Sequence, residues 1–396
     1  MRCGVGSSTN PSTTTAARAA AKQALVALQG EPADAVLLFA AAEHDQQQLL
    51  QTVRQVVGSQ ATIVGCSGEG VITQSQASER CYAVAVMAIR GERLRFESFS
   101  ASGYGSNTAS CVSELAANLA RAVRDDTRLL MLFADGLSGD CTALLQALEG
   151  AGVTVPVIGG TAGDSMTMTA TYQYHDDQVM QGGVTALLLG GDAEARVAVA
   201  HGCTPIGLRR TVTRAAGGWI YEIDGLPAWE VFREYLDGEP TDLNADGIIH
   251  LCVGEPLDEP RAREYSDYVI RTPMKLDGDS GALFFPGGGL TEGTTVQMTR
   301  RDQDEIKRSA RRCAESLSDT SHKPALVLQV DCAGRGRALF GSCFGRDVVE
   351  PMQQAIGQDV PWIGFNSYGE IAPLGGRPYF HNYTVALLAL FETPAP

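Results

Sequence analysis

Three segments of the sequence share one pattern, and this repetition constrains the fold more than any other feature of the chain. Each segment is an apolar run that ends in glycine, continues through small polar residues and reaches an acid. The copies are TIVGCSGEGVI from Thr62, PVIGGTAGDSM from Pro156 and PWIGFNSYGEIAP from Pro361. Together with the runs around it, each copy forms a unit of about 94 residues, and roughly a hundred further residues separate the second unit from the third. Self-similarity at a fixed period indicates copies of one supersecondary unit, so the sequence predicts three units.

The runs that flank each copy predict the order strand, helix, strand, helix, strand, strand within a unit. Apolar runs of strand length alternate with amphipathic stretches of helix length, which is typical of an α/β fold. We therefore expect layered mixed sheets, with parallel pairs joined through helices and with hairpins that close each unit. In the third unit we expect the first strand at TTVQMTR, from Thr294, and the following helix at 302–317.

Residues Ala195 to Gly293 separate the second unit from the third and are interpreted as an insertion. The insertion has strand signals at ARVAVA, GGWIYEI and DYVIRT, and a short helix is predicted at PAWEVFREYL. Glycine-rich turns interrupt the rest of it. It is the least regular part of the chain.

Charge and composition exclude several classes of partner. A formal charge of −15 at pH 7 repels nucleic-acid phosphates and anionic lipid, whose binding depends on clustered lysine and arginine. No apolar run is long enough to span a membrane, and the first residues lack the apolar core of a signal peptide. The ten cysteines are scattered without a C-x-x-C pair, as expected for reduced thiols. We therefore expect a cytoplasmic protein that binds neither nucleic acid nor membrane.

The end of each repeated strand is a candidate ligand site. In such sheets ligands bind beyond the carboxyl ends of strands, where glycine lets the backbone approach and exposes N–H donors. The segments 65–69, 159–164 and 364–370 fall at such ends, although their residue types are also ordinary in tight turns. The third copy is the most polar, and we expect a ligand site there. Its amide, hydroxyls and carboxylate belong to Asn366, Ser367, Tyr368 and Glu370.

The segment VDCAGRG places Cys332 and Arg335 at the end of a neighbouring strand. Arg335 would either bind a carboxylate or phosphate, or pair with a protein acid such as Glu370. Cys332 would be a reactive thiolate if Arg335 lowers its pKa, but strand-end cysteines are more often small buried hydrophobes. GCSGE misses the G-x-S-x-G nucleophile elbow, because its fifth residue is Glu69. A hydrolase with Cys332 or Ser67 as nucleophile would need a histidine that no motif marks, so we expect a protein that is not an enzyme.

Histidines offer a second type of site. His250, in GIIHLCVGEP, sits in an apolar strand-like run and is either a hydrogen-bonded core histidine or an axial haem ligand. Cys252 would face the same side of a strand as a second soft ligand. His201 and His381, both at strand ends, are the alternative haem ligands. His44 and His322 lie in polar surroundings, and we expect both at the surface.

At these motifs the sequence resembles the FIST family of intracellular signal-transduction sensors, in which a FIST N domain precedes a FIST C domain. The matching segments include LLFADG, VIGGTAGD, AHGCTPIGLRRTVTRAAGGWIYEIDGLPAWEVFREYL, VDCAGRGRALFG, GFNSYGEIAP and HNYTVALL. The resemblance implies a FIST N domain at 1–228 and a FIST C domain at 229–396. It also implies a cytosolic sensory role with amino-acid-like ligands, whereas some members look like haem-binding nitric-oxide sensors that act on a histidine kinase.

These observations combine into one leading expectation. A small molecule binds in a cleft at the strand ends, where Arg335 meets an anionic group and Glu370 takes a cationic group or holds Arg335. The full set of expected ligand residues is Cys332, Arg335, Asn366, Ser367, Tyr368, Glu370 and Asn382. We expect the signal to leave through a partner such as a histidine kinase. The alternative is a haem protein with His250, His201 or His381 as ligand.

Overall fold

The apolar runs and amphipathic stretches fold as strands and helices in the predicted alternation. The computed structural model describes residues 1–74, 76–79, 81–236, 251–318 and 322–393. The first unit contains β1 (Arg2–Ser8), α1 (Thr13–Val26), β2 (Ala35–Ala41), α2 (Gln46–Val57), β3 (Thr62–Gly68), β4 (Gly70–Thr73), β5 (Gln76–Glu79) and β6 (Val84–Arg90). Asp45 caps α2 by accepting from the Gln48 N–H at 2.9 Å, which satisfies one donor of the first turn.

The second unit repeats this order, and the third begins in the same way before the insertion interrupts it. The second unit contains β7 (Leu94–Ser102), α3 (Thr108–Ala122), β8 (Thr127–Ala134), α4 (Cys141–Gly150), β9 (Val157–Thr161), β10 (Gln173–His175), β11 (Gln178–Met180) and β12 (Gly183–Gly191). The third unit begins with β13 (Ala193–His201). The insertion contains β14 (Cys203–Ala216), β15 (Trp219–Ile223), β16 (Leu226–Pro227), α5 (Ala228–Arg233), β17 (Leu251–Pro256), α6 (Arg261–Glu264), β18 (Tyr268–Arg271), β19 (Lys275–Asp277), β20 (Ala282–Phe284) and β21 (Thr295–Arg301).

The third unit resumes after the insertion. It continues with α7 (Gln303–Leu317), β22 (Leu326–Cys332), a 3-10 turn (Ala333–Arg335), α8 (Arg337–Phe340), a second 3-10 turn (Gly341–Cys343), a π-helical turn (Gly345–Val349), α9 (Glu350–Ile356), β23 (Trp362–Ser367), β24 (Gly369–Leu374), β25 (Arg377–His381) and β26 (Thr384–Glu392). The helix predicted at 302–317 is therefore α7, which the Asp302 side chain caps at the Glu305 N–H, 3.0 Å away.

Two details of the predicted unit are wrong. The third unit starts at β13, which pairs with β26 along its whole length just as β1 pairs with β6. TTVQMTR is β21, which instead pairs with β14 and β17 of the insertion, so the insertion lies between β13 and α7. Both β13 and β21 are half-buried strands, and the spacing alone did not distinguish them. Each unit also contains a hairpin that the predicted order lacks, β4–β5 in the first unit.

Three six-stranded sheets have the same order of strands. The orders are β1-β6-β2-β3-β10-β11, β7-β12-β8-β9-β24-β25 and β13-β26-β22-β23-β4-β5. The last two strands of each sheet are a hairpin from another unit. The first sheet contains the hairpin of the second unit, the second sheet contains the hairpin of the third unit, and the third sheet contains the hairpin of the first unit. This cyclic exchange brings the three repeated turns together. The insertion forms a further sheet, in the order β18-β17-β21-β14-β15-β20-β19 with β16 beside β15.

The inner faces of the three sheets share one apolar core. At its centre Phe39 stacks on Phe365 with ring centroids 4.6 Å apart, and Phe133 meets Phe39 edge-on at 5.3 Å. The outer face of each sheet is covered by its own helices: α1 and α2, α3 and α4, or α7 and α9. None of the helices in the described ranges is both long and apolar enough to cross a bilayer.

The glycine that ends each apolar run is required by close backbone approach. Gly65 and Gly159 have φ angles of 152° and 158°. A Cβ atom at either position would lie 1.8 Å from the carbonyl oxygen of Leu38 or Leu132 on the neighbouring parallel strand. Only glycine therefore fits this recurring position.

Candidate functional site

The three repeated turns meet and are joined by a cycle of backbone hydrogen bonds. The strand glycines of the three turns are Gly65, Gly159 and Gly364. In each bond, the donor is the N–H of the fourth residue after one of these glycines, and the acceptor is the carbonyl of the second residue after the glycine of another unit. The bonds run from Glu69 N to Asn366 O at 2.9 Å, from Gly163 N to Ser67 O at 3.0 Å and from Tyr368 N to Thr161 O at 3.2 Å. The turns are thus one connected structure, and differences among their side chains distinguish one from another.

The aspartate of the second turn orders the loop that follows it. The Tyr368 hydroxyl donates to Asp164 Oδ1 at 2.5 Å and accepts from the Met166 N–H at 2.9 Å. The other Asp164 oxygen accepts from the Thr169 and Ala170 N–H groups. Burial and the neighbouring Asp164 charge raise the pKa of Tyr368. Asp164 therefore stabilises a loop in which Met166 has a strained φ of 59°.

A small cavity lies beside the third turn, between that turn and the insertion; we call it the strand-end cavity. Its volume is about 30 Å³, close to the volume that one water molecule occupies. Four of the expected ligand residues line it: Cys332, Ser367, Tyr368 and Asn382. It is completed by Met166, Thr272, Met274, Ala333, Gly334 and Tyr383. The structure therefore brings four of the seven expected side chains to one cavity.

Asn382 joins the insertion to the third turn. Its Oδ1 accepts from the Thr272 N–H, and its Nδ2 donates to the Tyr368 carbonyl, both at 3.2 Å. Its own N–H donates to the Ile270 carbonyl at 3.1 Å. The Thr272 hydroxyl is buried and has no hydrogen-bond partner among the described residues. The segment Thr272 to Met274 thus closes one side of the cavity.

Glu370 is buried behind the cavity rather than in its wall. Its Oε1 lies 2.5 Å from Ser367 Oγ, and its Oε2 accepts from the Thr384 N–H at 3.2 Å. Burial raises the pKa of this carboxyl well above its usual value, and the nearby Asp331 charge adds to the effect. The fold therefore favours the neutral acid, which positions Ser367 and is poorly suited to pair with a cationic ligand.

Arg335 pairs with Asp331, whereas the sequence suggested Glu370 as the protein acid. Its Nε lies 3.2 Å from Asp331 Oδ1, and its Nη1 donates to the Ala200 carbonyl at 2.9 Å. Both members of the pair are fully buried, and burial raises the pKa of Asp331 although Arg335 opposes that shift. Arg335 does not line the strand-end cavity.

The third unit alone carries a carboxyl and an amide at a position where the other two units have an alanine and a hydroxyl side chain. Asp331 pairs in register with Asn366, whereas the matching pairs are Ala40 with Ser67 and Ala134 with Thr161. Asn366 is fully buried, and neither its Oδ1 nor its Nδ2 has a hydrogen-bond partner among the described residues. Buried amides are seldom left in that state, and Asn366 does not line the strand-end cavity.

Neither candidate nucleophile is activated. Burial raises the pKa of Cys332 well above its usual value, which favours the inert thiol. The Ser67 hydroxyl donates to the Gly163 carbonyl at 2.7 Å and accepts from the Tyr172 N–H at 3.0 Å. Within the described ranges neither residue is hydrogen-bonded to a histidine, so the pairing that a nucleophile needs is missing there.

Of the three candidate haem ligands, the structure describes two, and neither His201 nor His381 fits a haem site. His250 lies outside the described residues. His201 accepts from the Cys203 N–H at Nδ1 and contacts Ser266 Oγ at Nε2, and its burial lowers its pKa to about 4. His381 is fully buried with Nε2 3.2 Å from the Ala372 carbonyl, and burial lowers its pKa to about 3. An axial ligand needs a free ring nitrogen that faces a haem pocket. Both ring nitrogens of His201 have partners, and His381, whose Nδ1 has no partner among the described residues, is fully buried and does not line the strand-end cavity.

Two smaller interpretations of metal-binding and surface residues also change. Cys252 contacts Cys203 with the sulfur atoms 3.9 Å apart, and no cluster of three His, Cys, Asp or Glu side chains suited to a metal ion occurs in the described ranges. His44, expected at the surface, is buried and lies 3.1 Å from Thr13 Oγ1, because the residues after β2 fold back over α1. His322 is exposed as expected.

Sequence reasoning missed the residues that close the cavity. Met166 directly follows the second repeated turn, so the repeat itself was a signal for it. Thr272 and Met274 come from the insertion, whose position over the turns no local pattern indicates.

Two family models match consecutive parts of the sequence and together cover nearly the whole chain. The FIST N domain matches residues 34–226 and the FIST C domain matches residues 228–373. The chain belongs to the FIST family. Domains of this family are regarded as sensory ligand-binding domains.

Relatives of this FIST protein extend over its full length. It is 30% identical over 395 residues to "Uncharacterized protein Rv0628c" of Mycobacterium tuberculosis, covering 99% of this chain and 100% of that protein. It is also 30% identical over 398 residues to "Uncharacterized protein Mb0898c" of Mycobacterium bovis, with 99% of each chain covered. The match to "Uncharacterized protein MJ1623" of Methanocaldococcus jannaschii is 32% over 124 residues, 31% of this chain and 24% of that protein.

Two solved structures resemble the FIST protein only weakly. A cyanuric acid hydrolase from A. caulinodans aligns over 100% of both chains with 9% identity and a TM-score of 0.36. PurLQS from Thermotoga maritima aligns over 99% of this chain and 72% of that one, with 10% identity and a TM-score of 0.24. At these scores neither likeness bears on the function of the FIST protein.

Proposed function

We propose that this FIST protein senses an amino-acid-like small molecule that binds at the strand-end cavity and reports it to a partner protein. One observation carries the proposal: four side chains singled out from the sequence line a single cavity, in which the buried Thr272 hydroxyl has no partner among the described residues. Leaving such a group unsatisfied costs about 1–3 kcal/mol. A polar ligand that bonds to it recovers that free energy.

The size of the cavity defines how the ligand enters. A volume of about 30 Å³ holds a single small group, so a molecule of amino-acid size requires the segment Thr272 to Met274 to move. That segment is held by the Thr272–Asn382 bond and by the Met274 N–H, which donates to the Phe284 carbonyl at 2.8 Å. Next to it, Arg271 Nη1 donates to the Phe380 carbonyl at 2.7 Å. Each such bond contributes roughly 0.5–1.5 kcal/mol to stability. A ligand with a dissociation constant of about 1 mM has a binding free energy of roughly 4.1 kcal/mol, which is larger than the contribution of any one of these bonds.

The residues divide into two roles in this proposal. Ser367, Tyr368 and Asn382 hydrogen-bond the ligand from the cavity wall. Arg335 and Asn366 lie deeper, and Nη2 of Arg335 and Nδ2 of Asn366 have no partner among the described residues, so they favour an anionic or carbonyl group at the inner end of an opened cavity. Movement of the insertion would change the surface that a histidine kinase or another signalling partner contacts.

Thr272→Val tests the site by removing one hydroxyl at nearly constant volume. We expect the variant without ligand to be at least as stable as the wild type, because it removes a buried group without a partner. Titration calorimetry and thermal shift against the twenty amino acids should find a ligand that stabilises the wild type by about 2.7 kcal/mol at 100 times its dissociation constant. The affinity of Thr272→Val should be about fivefold to tenfold lower.

Thr185→Val is the matched control. Thr185 is equally buried in β12, and its hydroxyl donates to the Phe99 carbonyl at 3.4 Å, away from the cavity. This control should leave the affinity unchanged. Equal affinities of the wild type and Thr272→Val would show that the ligand does not bind at the strand-end cavity. If no amino acid in the panel stabilises the wild type, the proposal of an amino-acid-like ligand is wrong.

A further inference from the structure

An open groove with a volume of about 970 Å³ runs along the edge of the third sheet. We call it the edge groove. Its floor is the segment Val197–Ala200 of β13, and its walls are α7 and the turn between β24 and β25, residues 373–377. Arg261 and Tyr265 complete the rim. The groove is separate from the strand-end cavity, with which it shares no lining residue.

The floor of the groove is an edge strand. β13 is the last strand of its sheet and pairs with β26 on one side. The free side of an edge strand presents N–H and C=O groups that can pair with another chain. At the end of β13, Ala200 O accepts from Arg335 Nη1 at 2.9 Å and His201 O accepts from the Ser309 hydroxyl. The carbonyl at the C-terminal end of the floor, that of Ala200, is therefore occupied, and an added strand would pair with the residues before it.

The charge of the groove is opposite to that of the whole chain. Its lining contains three arginines, Arg261, Arg312 and Arg377, and neither aspartate nor glutamate, although the chain carries a net charge of −15. Each arginine contacts an acid that lies outside the lining. These pairs are Arg261–Asp258 at 2.6 Å, Arg312–Glu305 at 2.6 Å and Arg377–Glu149 at 2.9 Å. Arg312 and Arg377 are exposed, and such pairs contribute little to stability, so a carboxylate that enters the groove can replace or share them. Arg261 is half-buried and also contacts the Tyr379 hydroxyl.

We propose that the edge groove binds an extended acidic segment of a partner protein. The segment adds a strand to β13 and places its carboxylates on Arg261, Arg312 and Arg377. Strand addition takes its affinity from main-chain hydrogen bonds and its specificity from alternate side chains. A helix would leave the main-chain groups of the edge unused, and a basic segment would meet the three arginines unfavourably. This interaction goes beyond the proposed ligand site and gives the protein a surface for its partner.

Two model peptides test the chemistry of the occupant. We would measure fluorescence anisotropy of a labelled ten-residue peptide of alternating Glu and Val and of a Lys and Val peptide of the same length. The acidic peptide should bind more tightly, and added salt should weaken its binding because Arg312 and Arg377 are exposed. The triple variant Arg261→Ala, Arg312→Ala, Arg377→Ala should bind it at least about tenfold more weakly. Equal binding of the two peptides would overturn the proposal.

Controls separate strand addition from general attraction of charge. Arg308→Ala with Arg311→Ala removes two exposed arginines of α7 outside the lining, and it should leave the affinity unchanged. An acidic peptide with N-methyl groups at alternate residues cannot donate to the strand edge and should not bind. Retained binding of that peptide would overturn strand addition. Dimerisation of the wild type that the triple variant abolishes would assign the groove to a second copy and overturn the proposal of a separate partner.

Discussion

Arg335 and Asp331 form a fully buried ion pair, with Nε 3.2 Å from Oδ1, at a position where the other two units have alanine. A buried pair of this kind contributes little net stability, because desolvation offsets the attraction of the charges. Breaking the pair from one side is different, since it leaves a charge buried without its partner. The pair therefore makes the third unit more sensitive to single substitutions than its small equivalents in the first two units.

Arg335→Met should lower the free energy of unfolding by about 3–5 kcal/mol, because Asp331 is left buried without a cation. The double variant Asp331→Ala with Arg335→Met should regain most of that loss, since it restores the alanine of the other units. Urea denaturation, read as the change in midpoint, measures both effects. A double variant as unstable as the single one would show that the bond from Arg335 to the Ala200 carbonyl, rather than the ion pair, is what stabilises this region.

The repeat predicted the turns but not what surrounds them. Gly65 and Gly159 are marked in the sequence because a close backbone approach forces glycine there. The Thr272–Asn382 bond is different, since it depends on how the insertion packs on the third unit, and that packing leaves no local periodic signal. The cyclic exchange of hairpins was equally hidden, because pairing between units depends on long-range contacts rather than on the pattern within one unit.

Glu370→Gln should become more favourable relative to the wild type as the pH rises. Burial raises the pKa of Glu370 in the folded protein, so the stabilisation from its proton is fully present below the unfolded pKa of about 4.3 and is lost as the pH rises through the folded pKa. The Ser367 hydroxyl donates to Glu370 Oε1 and the Thr384 N–H donates to Oε2. The glutamine carbonyl oxygen can keep one of these bonds, and its amide nitrogen can donate to Ser367 Oγ. Unfolding free energies of the two proteins at about pH 5 and pH 8 measure the change.

Asp331 also has a raised pKa, but it is present in both proteins and largely cancels in the comparison. A constant difference between wild type and Glu370→Gln across this range would indicate that Glu370 is ionised throughout. In that case the neutral acid would not be the form that positions Ser367.

His381→Gln should show the opposite dependence. Burial, assisted by the charge of Arg271, lowers the pKa of His381 to about 3, so its contribution is fully present above the unfolded pKa of about 6.5 and is lost as the pH falls. Between about pH 6.5 and about pH 3, the difference in unfolding free energy between the wild type and the variant should decrease by about 1.4 kcal/mol for each unit by which the pH falls. Chemical denaturation at about pH 4.5, 5.5 and 6.5 gives this slope, and a slope of zero would mean that His381 is accessible to protons in the folded state.

Gly159→Ala should prevent stable folding, whereas Gly150→Ala should be tolerated. A Cβ atom at Gly159 would lie 1.8 Å from the Leu132 carbonyl oxygen, on a parallel strand that cannot shift without breaking its ladder. We expect a loss of more than about 4 kcal/mol, the range in which single substitutions unfold marginal proteins. Gly150 is in α4, and a Cβ atom there would have no neighbouring atom within 4 Å, so alanine should stabilise by about 0.5–1 kcal/mol. Soluble yield and thermal unfolding distinguish the two, and a well-folded Gly159→Ala would show that the repeated glycine is not needed to join the parallel strands.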